Sequence, residues 1–320
     1  RLYGNKEKTG ARIEVFLLRE LNEDFKLWDV LVDPARKIRI GNKLYFGEDE
    51  AMVAEVIDNT TSRGRTLRFL YDGPHDEFKE ALYKLGEAPL PHTITRPVEE
   101  DDAERFQTIF AKNEGAVTAP TAGLHFTESV LEALRSKNID TETVCLHVGA
   151  GTFLPVKSSL VSEHSMHREP FVVTLDFLEK LLARKGKLVA VGTTSVRTLE
   201  SLYYIGVKCI EKGVPADVDQ WEPYEREYPY SVEESIGAIV EYLRSNSLKE
   251  LQLGTRIIIV PGYSFKLVDV LVTNFHQPQS TLLLLISAFV KGDWKNIYDH
   301  ALANGFRFLS YGDSSVLFRP

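Results

Sequence analysis

A chain of 320 residues is long enough for two domains of ordinary size. Its 43% hydrophobic and 26% charged content is globular and excludes collagen, coiled-coil and disordered classes. The 46 acidic against 38 basic side chains give a net charge of −8, an unpromising total for a protein that coats nucleic acid. The first ninety residues read as short strands: Arg12–Leu18, Leu27–Val32, Lys43–Phe46, Met52–Ile57 and Thr66–Tyr71. Turn residues separate them at Asn22-Glu23-Asp24, Asp33-Pro34, Gly41-Asn42, Gly47-Glu48-Asp49 and Asn59 to Gly64. Such spacing predicts a small antiparallel β-barrel or sandwich. Pro89-Leu90-Pro91 and Arg96-Pro97 mark a linker, so the expected domains are 1–90 and 91–320.

After the linker the period changes to helical. Ala103, Phe106, Ile109 and Phe110 share one helix face. Thr127 caps a helix that carries Glu128 in its first turn. Val144, Leu146 and Val148 alternate as a strand, and Leu188–Val191 reads as a buried one running into a helix over Thr194–Leu202. Ser231 and Glu234 form a capping box ahead of Ile236, Ile239, Val240 and Leu243. Strands are expected at Arg256–Val260 and Leu267–Thr273, with an apolar helix from Ser280 or Thr281. The last helix runs from Trp294 to a stop at Gly305, and strands at Phe306–Leu309 and Val316–Phe318 close the chain. Strands alternating with helices predict an α/β domain over 91–320, so the fold class is a mixed-sheet α/β domain plus a small antiparallel β-barrel.

Two cysteines, Cys145 and Cys209, build neither a disulfide framework nor a four-thiolate zinc site, which favours a reducing, cytoplasmic location. The longest apolar run, Leu282–Phe289, is too short to span a bilayer, so no membrane partner is expected. The chain begins at Arg1 rather than Met, so its native start is expected upstream. The charge is uneven: residues 1–96 carry a net −1 and the rest −7. Within the first part Arg36, Lys37, Arg39 and Lys43 cluster, followed by Arg63, Arg65 and Arg68. They form either a basic face for nucleic acid or an ordinary solvated strand face.

Four segments look chemical. Pro120 to Thr127 (PTAGLHFT) precedes a helix: Thr121 and Gly123 sit where backbone N–H groups attract anions, and His125 can move a proton near neutrality. His147 to Phe153 (HVGAGTF) follows a strand, with Gly149, Gly151 and Thr152 placed for close ligand approach; it lacks the third glycine of a dinucleotide fingerprint. Val189 to Arg197 (VAVGTTSVR) ends a buried strand in hydroxyls and then a helix. Thr193, Thr194 and Ser195 offer donors there. An arginine in a first helical turn opposes the helix dipole, so Arg197 invites an anion between the two. Thr273 to Thr281 (TNFHQPQST) leaves a strand ahead of an all-apolar helix, with Asn274, His276 and Ser280 as polar candidates. Each segment also has a plain reading as a turn or helix start with satisfied polar groups. His164-Ser165-Met166-His167 has two histidines without a metal-ligand pattern, and no metal or hydride cofactor is implied.

These four strings, in this order, with GEAPLP at 86–91 and YGD at 311–313, resemble the S-adenosylmethionine:tRNA ribosyltransferase-isomerase family of queuosine biosynthesis. The resemblance covers nearly the whole chain; the family's N-terminal segment is expected before Arg1, and residues 206–252 do not fit its pattern. It implies an α/β domain with the barrel inserted in it. It also implies a consumed substrate, S-adenosylmethionine, whose ribosyl part moves to the 7-aminomethyl-7-deazaguanine of a tRNA anticodon. On that basis His125, His147 and His276 are candidates for the base, with Asp313 accepting from the amine or a ribose hydroxyl. Arg197, Thr193 and Thr194 would hold the methionine carboxylate, and Gly149, Gly151 and Thr152 would lie along the nucleoside. Arg36, Lys37, Arg39, Arg63 and Arg65 would hold tRNA phosphates, in a chain acting as a monomer. Two rivals stay open: an S-adenosylmethionine-dependent RNA methyltransferase and a non-catalytic RNA-binding module.

Overall fold

The alternating apolar runs of the first seventy residues close on themselves. In the computed structural model, which describes residues 1–91, 93–113, 115–149, 158 and 160–320, six strands form an antiparallel barrel. They are β1 (Leu2–Lys6), β2 (Arg12–Asn22), β3 (Leu27–Asp33), β4 (Lys43–Phe46), β5 (Met52–Asn59) and β6 (Gly64–Leu70). The order around the barrel is β1-β2-β3-β6-β5-β4, with β1 pairing both β2 and β4, so no edge is left open. Period-2 alternation points Ile13, Val15, Val30, Val32, Leu44, Phe46, Met52, Ala54, Val56, Leu67 and Phe69 inward. Helix α1 (His75–Leu85) adds Phe78 and Leu82, one turn apart, to the same core.

Arg65 of β6 is 6% exposed. Its guanidinium donates to the carbonyls of Ala35, Ile38, Thr61 and Gly64, so one buried side chain ties the 35–38 turn to the 61–64 loop. After the barrel, Arg96 holds the buried Asp102 carboxylate through two 2.7 Å bonds. Helix α2 is only Asp102–Arg105, and the helical face expected through Phe110 stops there. The chain changes compact units at this point. The first unit is Arg1–Gln107 with Asn113–Thr118, and the second is Thr108–Lys112 with Ala119–Pro320.

The second unit holds two three-stranded sheets. A single-turn 3-10 helix at Thr121–His125 leads into α3 (Glu128–Ser136), whose first turn is capped by the Thr127 hydroxyl accepting from Val130 N–H. Strand β7 (Cys145–Leu146) pairs with β8 (Glu169–Thr174); α4 (Leu175–Ala183), β9 (Val189–Val191) and α5 (Thr193–Lys212) follow. Helix α6 (Val232–Ser245) starts at the Ser231–Glu234 capping box that the sequence predicts. The rest is β10 (Glu250–Thr255), β11 (Val270–Asn274), α7 (Thr281–Phe289), α8 (Trp294–Ala303) and β12 (Ser314–Phe318).

One sheet, β10-β8-β7, is antiparallel. The other, β12-β11-β9, is mixed: β9 and β11 run parallel and β12 is antiparallel to β11. This matches the mixed α/β plus barrel expectation. Helix α5 packs on α6, which also packs on α4, and with α7 they share one core that includes Leu178, Leu202, Tyr203, Ile236, Ile239, Ile286 and Phe289.

Ile257, Ile258 and Ile259 are buried, yet 256–260 forms no strand because its backbone polar groups bond elsewhere. Ile257 C=O accepts from Arg197 Nε and Ile258 C=O from Tyr224 Oη, while Val260 N–H donates to Tyr224 Oη. Residues 306–309 also form no strand: Phe306 and Phe308 stack on Phe275, and Leu309 turns the chain at φ 70. Strand β10, which the sequence reading lacks, completes the antiparallel sheet. Among the described residues no helix is long and apolar enough to cross a membrane.

Candidate functional site

Parallel pairing places the carboxyl ends of β9 and β11 side by side, where open α/β sheets bind ligands. At the end of β9, Gly192 adopts φ 93 and gives its N–H to Val272 C=O at 2.8 Å, a turn that a β-carbon would strain. Helix α5 starts at the next residue. Its N-cap, Gly192, brings no side-chain acceptor, and its first turn has no acidic residue. Neither the N-cap side chain nor an acidic residue of the first turn therefore offsets the first N–H groups and the positive dipole end.

A recess opens there. Pro120, Thr121, Ala122, Val148, Val191, Gly192, Thr193, Thr194, Ser195, Thr273, Asn274 and His276 line it, so all four chemical segments contribute. The space open to water is about 30 Å³, which seats one end of a ligand rather than enclosing it.

Thr193, Thr194 and Asn274 are buried at this floor. Thr121 lines it as well, but Gly123 faces away: a β-carbon there would lie 3.1 Å from the Thr108 methyl, so the close neighbour is Thr108. Gly149 follows the lining residue Val148, and among the described residues nothing lies within 4 Å of where its β-carbon would be. Gly151 and Thr152 lie outside the described residues.

The three histidines separate. His276 is in the recess, its Nε2 2.9 Å from Thr273 Oγ1 and its backbone N–H donating to Tyr298 Oη. Burial pulls its pKa down to about 4, so it is neutral at physiological pH. His125 sits on the rim, its Nε2 3.3 Å from Oδ1 of the lining residue Asn274. Asp313 belongs to this rim: it accepts from the Arg307 backbone N–H and guanidinium, which with the nearby His125 holds its carboxyl below the usual range. His147 lies apart, on β7's end, with Nε2 3.8 Å from Cys145 Sγ.

Three expectations are corrected. Arg197 does not line the recess; it is 4% exposed, with Nη1 2.9 Å from Glu169 Oε2 and Nε on Ile257 C=O. The charge that opposes the helix dipole is paired with an interior carboxylate. Ser280 caps α7, accepting from Leu283 N–H and donating to Gln277 C=O, and does not reach the recess. Arg65 is buried against four carbonyls and is no surface phosphate ligand. Arg36, Lys37, Arg39 and Arg63 are exposed on the two segments it joins, Arg63 lying 3.6 Å from Asp33. Gly192 and Thr273 line the recess without having been singled out; the signal was their place between a strand end and the polar string that follows.

A recess at parallel strand ends, floored by a helix N-terminus, hydroxyls and a neutral histidine, defines an α/β small-molecule enzyme unit, here in a chain that also carries a closed barrel. The family model described as queuosine biosynthesis protein matches residues 1–317, and the chain belongs to that family. Among its relatives, an S-adenosylmethionine:tRNA ribosyltransferase-isomerase of Bacteroides fragilis is 52% identical, the match covering 99% of this chain and 80% of the relative. The enzyme of the same name from Flavobacterium psychrophilum is 49% identical, over 99% of this chain and 81% of the relative. A crystal structure of an S-adenosylmethionine tRNA ribosyltransferase from Thermotoga maritima aligns with 99% of this chain and 77% of that one, at 27% identity and a TM-score of 0.40.

Proposed function

We propose that this chain transfers and isomerises the ribosyl moiety of S-adenosylmethionine onto the 7-aminomethyl-7-deazaguanine of tRNA, forming epoxyqueuosine with release of adenine and methionine. Family membership and the relatives' shared name support the activity. The observation that carries its assignment to this site is the convergence of four distant strings on one recess.

The recess binds the methionine carboxylate at the start of α5, where Thr193 and Thr194 hydroxyls join the helix N–H groups. The positive sulfur acidifies the adjacent 5′ carbon. A base on the rim removes a proton there, leaving the electron pair beside sulfur. That pair expels the ring oxygen from C4′, and the freed oxygen becomes the C1′ aldehyde as adenine leaves with the C1′–N pair and takes up a proton. The tRNA amine then adds to C4′ and loses a proton, the restored C5′ carbanion closes on C1′, and the resulting alkoxide displaces methionine from C5′ to form the epoxide. His276, neutral down to about pH 4, is too weak a base for this and acts as a fixed hydrogen-bond partner. His125, on the rim beside Asp313, takes the base role.

tRNA phosphates bind the barrel's exposed Arg36, Lys37, Arg39 and Arg63, which makes tRNA affinity steeply salt-dependent. Changing Arg36, Lys37 and Arg39 together to Ala should lower the log–log salt slope by about 2–3, with the S-adenosylmethionine KM unchanged. The cytoplasm, where tRNA resides, is the site of action. Product analysis with modified tRNA and S-adenosylmethionine tests the reaction. Adenine and methionine are expected; S-adenosylhomocysteine would make the chain a methyltransferase, and RNA binding without turnover a binding module.

A further inference from the structure

Resting on that reading of the recess, we infer that Asn274 is a positioning residue that locks the His125 imidazole with its proton on Nε2, so that Nδ1 presents the lone pair that receives the substrate proton. Asn274 ends β11 and is 3% exposed. Its Nδ2 donates to two carbonyls, Leu309 at 2.9 Å and Ser310 at 3.2 Å. Turning the amide over would set its oxygen against both carbonyl oxygens, so the orientation is fixed by chemistry. Oδ1 therefore faces His125 Nε2 at 3.3 Å. An acceptor in that place demands N–H on Nε2, and a neutral imidazole then has its free lone pair on Nδ1.

The carbonyl platform is itself held in place. Leu309 sits at φ 70, a costly conformation for a leucine. It is pinned by its N–H on Phe275 C=O and by Gly312 N–H on its own carbonyl. Strain of this kind at the residue that orients the amide is a positioning device. Asp313 lies close enough to His125 for the imidazole to join Arg307 in holding its carboxyl below the usual range. Neither rival histidine has this arrangement. The Nε2 of His276 meets a hydroxyl that both donates and accepts, and that of His147 meets a thiol.

The test uses the full chain labelled with 15N-histidine. Long-range couplings at neutral pH should show His125 as the Nε2–H tautomer; an Nδ1–H tautomer overturns the inference. Asn274→Ala should mix the tautomers and lower kcat for adenine release by about 10–100-fold, with the larger change in kcat rather than in the S-adenosylmethionine KM. Asn274→Asp keeps an acceptor toward Nε2 at the cost of both N–H bonds to Leu309 and Ser310, so it should lose stability yet retain that tautomer and move the acid limb of the kcat profile to higher pH. Unchanged kcat in Asn274→Ala, or an unmoved limb in Asn274→Asp, overturns the inference. Should Asn274→Ala fail to fold, the wild-type tautomer and Asn274→Asp still decide. Wild-type enzyme releasing no adenine would instead sink the proposed reaction, and the tautomer measurement separates the two failures.

Discussion

The two sheets of the second unit have the same number of strands and opposite uses for polar residues. Around β10-β8-β7 the polar groups named here pair with other side chains and backbone of the chain. Glu169 faces Arg197, Ser201 Oγ bonds Thr255 Oγ1, and Arg168 pairs with Asp217, whose carboxylate also accepts from Gly254 N–H. In β12-β11-β9 the parallel pair ends in a recess whose hydroxyls and helix N–H groups still face a cavity. The difference lies in strand direction. Partners for the antiparallel sheet arrive from α5 and from Asp217, whereas the parallel neighbours bring two carboxyl ends together and leave the hydroxyls just beyond them lining a recess.

Four measurements can break or sharpen that contrast. The largest effect belongs to Arg197. Its side chain and that of Glu169 are 5% and 6% exposed, so Arg197→Ala strands a buried charge. It should cost about 3–5 kcal/mol in denaturant unfolding. A variant of native stability with a raised S-adenosylmethionine KM would instead move Arg197 to the recess.

Next is pH. His276 stays neutral in the folded chain down to about pH 4, while in the unfolded chain it protonates near the ordinary imidazole value of 6.5. Its contribution is therefore constant above 6.5 and becomes unfavourable to folding as pH falls from 6.5 toward 4, by about 3 kcal/mol at the lower end. His276→Gln should flatten that part of the stability–pH curve. A slope equal to wild type would show the imidazole to be solvated.

Thr194→Val removes a hydroxyl from the recess floor while nearly conserving volume. Loss of a hydrogen bond to a charged group, about 1.5 kcal/mol, should raise the S-adenosylmethionine KM about tenfold. No change in KM would take the carboxylate away from the α5 terminus. Smallest is Ser280→Ala, which removes a cap worth about 1 kcal/mol of stability and should leave KM alone. A KM effect there would enlarge the site beyond the recess.

Period and punctuation made much of the fold legible. The barrel strands β2 to β6 alternate cleanly between turns, and the caps at Thr127 and Ser231 were readable because capping is a local interaction. Strand β1 and helix α1 escaped, α1 because only Phe78 and Leu82 mark its buried face. Arg256–Val260 reads as a strand because burial alone makes it apolar; its hydrogen bonds go to Tyr224, Gln220 and Arg197, partners no local pattern announces.

The site divides in the same way. Backbone-determined features, such as the hydroxyls after β9 and the polar string after β11, were visible as strand-end motifs. Side-chain pairing was not. Glu169 lies 28 positions before Arg197, and the carbonyls that hold Arg65 lie on two separate segments. Long-range partners of this kind decide whether an arginine serves a ligand or the interior, and the sequence around each arginine is the same in either case.

Helix α5 carries one more consequence. Beyond its first turn, Arg197 and Ser201 grip the antiparallel sheet, while Glu200, fully enclosed, accepts from Tyr263 Oη and from the N–H groups of Lys266, Leu267 and Val268 just ahead of β11. The helix that floors the recess is thus an axle keyed to both sheets within two turns. Retuning which nucleoside this enzyme consumes must begin at the rim, because any change along the axle resets both sheets at once.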